Sequence, residues 1–284
     1  MNILLKNSAC LALLLLPLAA CDRTRSGSSP QAGGLTYKMT QVQKMSVDKE
    51  QTESRYTTVI GVDRQASGER VTLGVSFRDM AVSINSGGNL LQYDSRNKSG
   101  NNDQIAQAVQ SVVGKQVTAL TQPSMQGMDI QGYDIVQNSA GGRMFGTVLD
   151  RKNFEHALRM LFLSGRYLSR APQVGDTWSD AEEIVLDDRL SLMLDLTYRV
   201  DTVETGTATV AVSGKGRVVD RATKQELGDY ITVDESLQGS VQWNREKNAV
   251  SLLDARCTVV LEQKGPQDVQ LVVEYMNVAE LLSE

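Results

Sequence analysis

Histidine is nearly missing from these 284 residues, with His156 the only one. A zinc site of the usual His/Cys kind needs three or four ligands, which this chain does not supply, and a Ser-His-Asp or Cys-His arrangement would have to use His156 itself. Positive charge is also in deficit: 29 Lys and Arg stand against 34 Asp and Glu, a net charge of −5. Nucleic-acid binders carry basic patches, so no nucleic-acid partner is expected, and neither is a second, polybasic contact with a membrane. Long apolar runs are absent too. Spanning a bilayer takes roughly 20 apolar residues, and the longest run, Ala9–Leu16, is far shorter. Cysteine appears three times, at Cys10, Cys21 and Cys257.

What is present at the N-terminus is a secretory signal. Lys6 is the only charge in residues 1–20, the apolar run follows it, Pro17 breaks the helix, and small residues lead to Cys21. The segment Leu18-Ala19-Ala20-Cys21 resembles the bacterial lipobox: a branched apolar residue, two small residues, and the cysteine. That resemblance implies alkylation of the Cys21 thiol by a diacylglyceryl group, cleavage before Cys21, and acylation of the new amine. Only a thiol supplies the nucleophile for the thioether. One acyl chain holds a protein marginally and two or more hold it stably, at about 0.8 kcal/mol per buried methylene. The expected localisation is therefore the cell membrane or outer membrane, with the body facing the periplasm or the cell exterior. Asp22 resembles the enteric signal for retention at the inner membrane.

Processing removes Lys6 and leaves 28 basic against 34 acidic residues, a net charge of −6. It also removes Cys10, so with Cys21 lipidated no intramolecular disulfide can form, and the core must hold the fold unaided. Residues 21–34 read as the lipidated cysteine and a flexible tether rich in Gly and Ser, spanning roughly 20 Å root-mean-square. Residues 35–284 read as a single domain, with 172–189 a candidate seam between two halves.

Strand periodicity dominates that domain. Leu190, Leu192, Leu194, Leu196, Tyr198 and Val200 alternate with mostly polar residues, a period of two that excludes a helix. Thr207–Val219, Tyr230–Trp243, Ala249–Gln263 and Asp268–Met276 repeat the pattern, with Ile231, Val233, Leu237, Val241 and Trp243 assigned to one face. Gly214 and Gly216 fall on the apolar face, where a bend or close backbone approach is expected. Tyr37–Met45, Arg55–Val62, Arg70–Phe77, Met80–Ile84 and Leu90–Tyr93 are weaker candidates. Two helices interrupt them: Asp103–Val113, capped by Asn102 or Asp103, and Asn153–Leu168, capped by Asn153. The predicted fold class is α+β: a large curved antiparallel sheet, a half-barrel-like meander, with about two helices packed on one face.

Several residues invite a chemical role, and each has a simpler account. His156 reads as a half-exposed helix residue. The carboxylates of Asp180–Glu183 and Asp187-Asp188 lack the glycine-turn spacing of a calcium loop and read as a solvated, charged edge. Gly214-Lys215-Gly216 opens no helix and is not a phosphate loop. Cys257 alternates with apolar residues, as a small buried hydrophobe does. No catalytic or metal-binding set emerges, so the chain is expected not to be an enzyme.

The most distinctive short segment is Val174-Gly175-Asp176-Thr177-Trp178. It resembles the Val-Gly-Asp-Thr-Trp turn of a family of uncharacterised bacterial envelope lipoproteins, a likeness that extends loosely over most of residues 35–280. Asp176 can bond backbone donors in the turn while Trp178 packs into the sheet, so Gly175, Asp176 and Trp178 read as a structural corner. The expected architecture also resembles the half-barrels of periplasmic lipoprotein carriers and mycobacterial lipid-binding lipoproteins. That likeness implies a lipid or other apolar ligand against the sheet, with Met125, Met128, Met144 and Met160 suited to an adaptable pocket. The alternative is a structural or protein-interaction module of the cell envelope, whose long strands offer edges to a partner strand. An open cavity of several hundred cubic ångströms would favour the first; a filled core would count against it.

Overall fold

The structure, a computed structural model, describes residues 34–47, 50–125, 127–162, 172–264 and 269–282. They belong to one compact unit, Ala32–Glu284. The chain opens with three long strands, β1 (Leu35–Val47), β2 (Glu50–Ser67) and β3 (Arg70–Ser86), and two short ones, β4 (Asn89–Asp94) and β5 (Ser99–Gly100). A helical layer follows: α1 (Asp103–Gln110), the short strands β6 (Gln116–Thr121) and β7 (Asp129–Gln131), then α2 (Asp134–Gln137), α3 (Ala140–Met144) and α4 (Arg151–Leu161). Six strands complete the chain: β8 (Thr177–Val185), β9 (Leu190–Val203), β10 (Thr207–Asp220), β11 (Tyr230–Asn244), β12 (Ala249–Gln263) and β13 (Gln270–Leu282). All pair antiparallel in one curved, open sheet; eleven follow the order β5-β4-β3-β2-β1-β13-β12-β11-β10-β9-β8, and off that path β6 pairs with β3 and β7. β1 lies between β2 and β13, so the beginning and end of the domain are neighbours and the sheet runs unbroken through both halves. Residues 172–189 contain β8, the strand at the far edge, with a turn on either side of it.

The period-two reading of Leu190–Val200 describes β9 well. Leu192, Leu194, Leu196, Tyr198 and Val200 are buried while Asp195, Thr197 and Arg199 are exposed. Two β-bulges account for the places where the sequence pattern misled. Arg70–Phe77 and Met80–Ile84, expected as separate strands, are one strand. Val59 faces Asp79 and Ile60 faces Phe77, so Arg78 is an extra residue that flips the inward side from odd to even positions. In β11, Thr232 faces Leu261 and Asp234 faces Val260, which makes Val233 the extra residue. Ile231 and Val233, expected inside, are consequently 47% and 45% exposed.

Curvature shows at Gly216 of β10. A Cβ there would lie 2.5 Å from Cys257 Sγ of β12, a strand two places away in the sheet. The missing side chain makes room for the thiol, as the sequence position of this glycine suggested.

The helices cover the apolar face. α1 is capped by Asn102, whose Oδ1 accepts from Ile105 N–H at 2.9 Å, and it buries Ile105, Ala108 and Val109. α4 starts two residues earlier than its apolar spacing implies. Asp150, not Asn153, is its cap, accepting from Lys152 N–H at 2.8 Å. α2 and α3 went unread because four or five residues are too few to show a helical period. The expected extension of α4 to Leu168 and the turn at 265–267 lie outside the described residues. Among the described residues no helix is long and apolar enough to cross a membrane.

Candidate functional site

Two buried crevices and a buried charge cluster converge on α4. Its first half is fixed by aromatic packing: the Phe154 ring stacks on Phe77 of β3 at 5.4 Å and on Tyr133 at 5.0 Å. Tyr133 in turn donates its O–H to the Leu149 carbonyl at 3.0 Å.

Asn153, freed from capping, joins the helix to the sheet edge. Its Nδ2 donates to the Thr147 and Val185 carbonyls at 2.6 and 2.8 Å, and its Oδ1 accepts from Val185 N–H at 2.7 Å. A side-chain amide has the donor and acceptor of a peptide group, so Asn153 stands in for a neighbouring strand on β8. Asn101 does the same on β4, accepting from Gln92 N–H at 2.8 Å and donating to the Leu90 carbonyl at 2.7 Å. The strand edges read from sequence as open to a partner are partly occupied at both ends of the sheet.

His156 is buried, 3% exposed, and not half-exposed as its place beside apolar residues implied. Its Nδ1 is 3.3 Å from Glu182 Oε2, and the same oxygen accepts from an Arg159 N–H at 2.9 Å. Glu182, 5% exposed, therefore does not belong to a solvated edge. β8 turns it inward against α4, and two basic groups on successive turns of the helix meet it. Glu183 is likewise engaged. It accepts from Lys152 at 3.0 Å, from Ser191 at 2.8 Å, and from Lys224. Asp187 is a turn residue, accepting from the N–H groups of Arg189 and Leu190, both at 2.7 Å.

Burial alone would raise the Glu183 carboxyl. Hydrogen bonds from Lys224, Ser191 and Lys152, with the charge of Lys152, outweigh it and bring the pKa down to about 2. A depressed carboxyl stabilises the fold above its unfolded value, near 4.5, and that contribution is lost as the pH falls toward 2. Thermal midpoints should drop across that window, and Glu183→Gln should flatten the drop; parallel curves for the two proteins would contradict this.

On each flank of α4 there is a crevice. One is lined by Met39, Gln41, Tyr56, Thr58, Phe77 and Phe154, with Tyr275 and Asn277 closing it, and has a volume of about 40 Å³. The other is apolar, with Met160, Leu194, Val212, Leu237 and Cys257 in its wall and His156 and Arg256 at its margin, and holds about 20 Å³. Tyr275 and Asn277 are common to both, so the two meet beneath the helix. Gln41 donates its Nε2–H to the Tyr275 hydroxyl. Burial raises the pKa of the Tyr275 hydroxyl, and it stays protonated. Asn277, Gln41 and Tyr56 form one cross-strand row over β13, β1 and β2. These volumes hold about a water each. Among the described residues, the space between helices and sheet is filled, which counts against a cavity already open to an acyl chain.

The sequence reading missed Gln41, Thr58 and Asn277. The signal was available: each is a polar residue at an inward-facing position of an otherwise apolar alternation. Of the four methionines expected in a pocket, Met160 lines a crevice, Met125 and Met128 are buried among the helices, and Met144 is 45% exposed. Cys257 is buried, and burial followed by the Glu235 charge pushes its thiol up to about 12. Among the described residues no group of three or more His, Cys, Asp or Glu could hold a metal ion. Cys21, Leu18, Ala19, Ala20 and Asp22 lie outside the described residues.

The Val174–Trp178 turn opens the edge strand. Gly175 takes φ +92°, a conformation that favours glycine, and its N–H donates to the Val200 carbonyl at 2.8 Å. Asp176 Oδ2 accepts from Gln173 N–H at 2.8 Å, and Trp178 stacks on its cross-strand neighbour Tyr198 at 5.2 Å. The Tyr198 hydroxyl reaches Met160 Sδ at 3.5 Å, which links the turn to α4.

The fold defined here is an open, curved antiparallel sheet with a helical layer on one face. No protein-family model matches the sequence, and no curated protein matches it. Among solved structures it is similar to lipovitellin, from a study of its lipid–protein interactions, at 11% identity and a TM-score of 0.48; the match covers 88% of this chain and 25% of that one. The chain thus spans about a quarter of lipovitellin's length. It is also similar to Pseudomonas aeruginosa OccK5 (OpdH), at 6% identity and a TM-score of 0.24, covering 88% of this chain and 98% of that one. A third similarity is to the translocator domain of the Neisseria meningitidis autotransporter NalP, at 8% identity and a TM-score of 0.23, covering 89% and 90%. Likeness at this level carries no function across.

Proposed function

We propose that this protein is a non-enzymatic lipoprotein of the bacterial cell envelope, anchored through lipid on Cys21, which binds an apolar or lipid ligand between α4 and the curved sheet. The observation that carries the reading is the pair of crevices flanking α4, which meet at Tyr275 and Asn277. A ligand enters by lifting α4, because the crevices as they stand are too small for a chain. The turn at Val174–Trp178 and the lipobox support the envelope assignment through their resemblance to lipoproteins.

The filled core favours one second reading: a closed structural or interaction module of the envelope with no small ligand. Native mass spectrometry of the protein purified from membranes separates the two. Non-covalently bound lipid, beyond the mass on Cys21, is the expected result; its repeated absence would leave the closed module.

A further inference from the structure

The crevice between α4 and strands β1, β2 and β13 has a particular chemistry. Among the described residues, no Asp, Glu, Lys, Arg or His lines it. Its polar groups are instead amides and hydroxyls: Gln41, Thr58, Asn277, Tyr275 and Tyr56, with Asn153 already committed to Thr147 and Val185. Among the described residues the Asn277 amide and the Thr58 hydroxyl take no hydrogen bond within the protein. The Gln41 amide spends one N–H on Tyr275 and keeps its carbonyl oxygen. The site therefore presents both donors and acceptors, none of them charged, at the end of an apolar path toward Met160, Val212 and Leu237.

We infer that this crevice receives the head of a single-chain lipid with an uncharged polar group (a hydroxyl, ester or amide) and discriminates against carboxylate and ammonium heads. The inference rests on the ligand-binding reading above and names the ligand class for it. A hydroxyl or carbonyl matches the Asn277 and Gln41 amides donor for acceptor. A carboxylate would be taken from water with no cation to meet it, and an ammonium with no anion; burying an unpaired charge is far less favourable than burying a hydrogen-bonded neutral group. The volume of about 40 Å³, room for about a water, takes a hydroxyl as it stands, and an ester or amide once α4 lifts. The chain would run beneath the second half of α4, where Met160, an unbranched and adaptable side chain, is the residue to displace.

The test uses the unlipidated body, residues 21–284 with Cys21→Ser, exported behind an ordinary cleavable leader. Dodecan-1-ol, dodecanoate and dodecylamine are titrated at pH 8 in competition with a fluorescent apolar probe. The expected result is that dodecan-1-ol binds at least about tenfold more tightly than either charged analogue. A Gln41→Leu/Asn277→Leu double variant, checked for an unchanged circular dichroism spectrum, should retain binding and lose that preference. If dodecanoate binds as tightly as the alcohol or more so, the head lies elsewhere, against Arg256 at the margin of the second crevice; the inference is overturned while the ligand-binding reading stands. If none of the three binds, both fall.

Discussion

Glu182→Ala is expected to destabilise the protein by about 3 kcal/mol, because it removes the one carboxylate that meets two basic side chains of α4. His156 Nδ1 and an Arg159 nitrogen lie 3.3 and 2.9 Å from the same oxygen, and the Glu182 side chain is 4% exposed. Truncation leaves His156 buried and Arg159, 29% exposed, without its closest partner. Solvent at Arg159 reduces the loss below that of a fully buried triad. For a domain of this size, about 3 kcal/mol corresponds to a fall of roughly 6–12 °C in thermal midpoint. Circular dichroism melts of the wild type and of the Ala and Gln variants check this. Glu182→Gln keeps an acceptor and should lose less; a midpoint for Glu182→Ala within a degree of wild type would show that the cluster does not hold α4 to the edge strand.

The second large effect concerns the anchor. A chain carrying Cys21→Ser behind an ordinary cleavable leader is expected to move almost entirely from the membrane pellet to the soluble fraction. On the proposed anchoring, two or more acyl chains at about 0.8 kcal/mol per methylene would hold the protein stably, and a processed body of net charge −6 would add no polybasic contact. Immunoblots of the two fractions after a salt wash measure this. Retention in the pellet would mean that the body carries a membrane-binding surface of its own.

Much of the sheet was legible in the sequence, because an antiparallel strand with one buried face writes its alternation directly into the residues. β9 and β10 kept one period from end to end of the predicted spans, and β12 kept it from Leu253 to Leu261, past an extra residue at Ser251. The misreadings fall where an extra residue changes the period without changing composition: Arg78 in β3, and Val233 in β11. A bulge is visible only against its partner strand, which one strand's sequence does not contain. Asn153 was misassigned for a related reason. Its chemistry suits a helix cap, and only the arrival of β8 beside α4 gives it a better partner in Val185.

The candidate site was harder to read because its parts lie far apart in the chain. Gln41 and Tyr275 are 234 residues apart and meet because β1 pairs with β13. His156 and Glu182 looked ordinary separately, one on a helix and one in a charged run. Their burial follows from α4 packing on the edge strand, a tertiary fact. What the sequence did offer was the polar interruption of an inward face at Gln41, Thr58 and Asn277.

The central claim is that α4 lifts to admit an apolar ligand, and Cys257 offers a native probe of it. This thiol is buried in the wall of the second crevice and is the sole cysteine of the Cys21→Ser body. The most direct measurement is its rate of modification by N-ethylmaleimide under native conditions, followed by mass spectrometry with and without saturating dodecan-1-ol. Local opening of α4 predicts modification well above the rate set by global unfolding, and slowing by about tenfold or more when ligand fills the space. Modification only at the global unfolding rate, unchanged by dodecan-1-ol, would contradict the account.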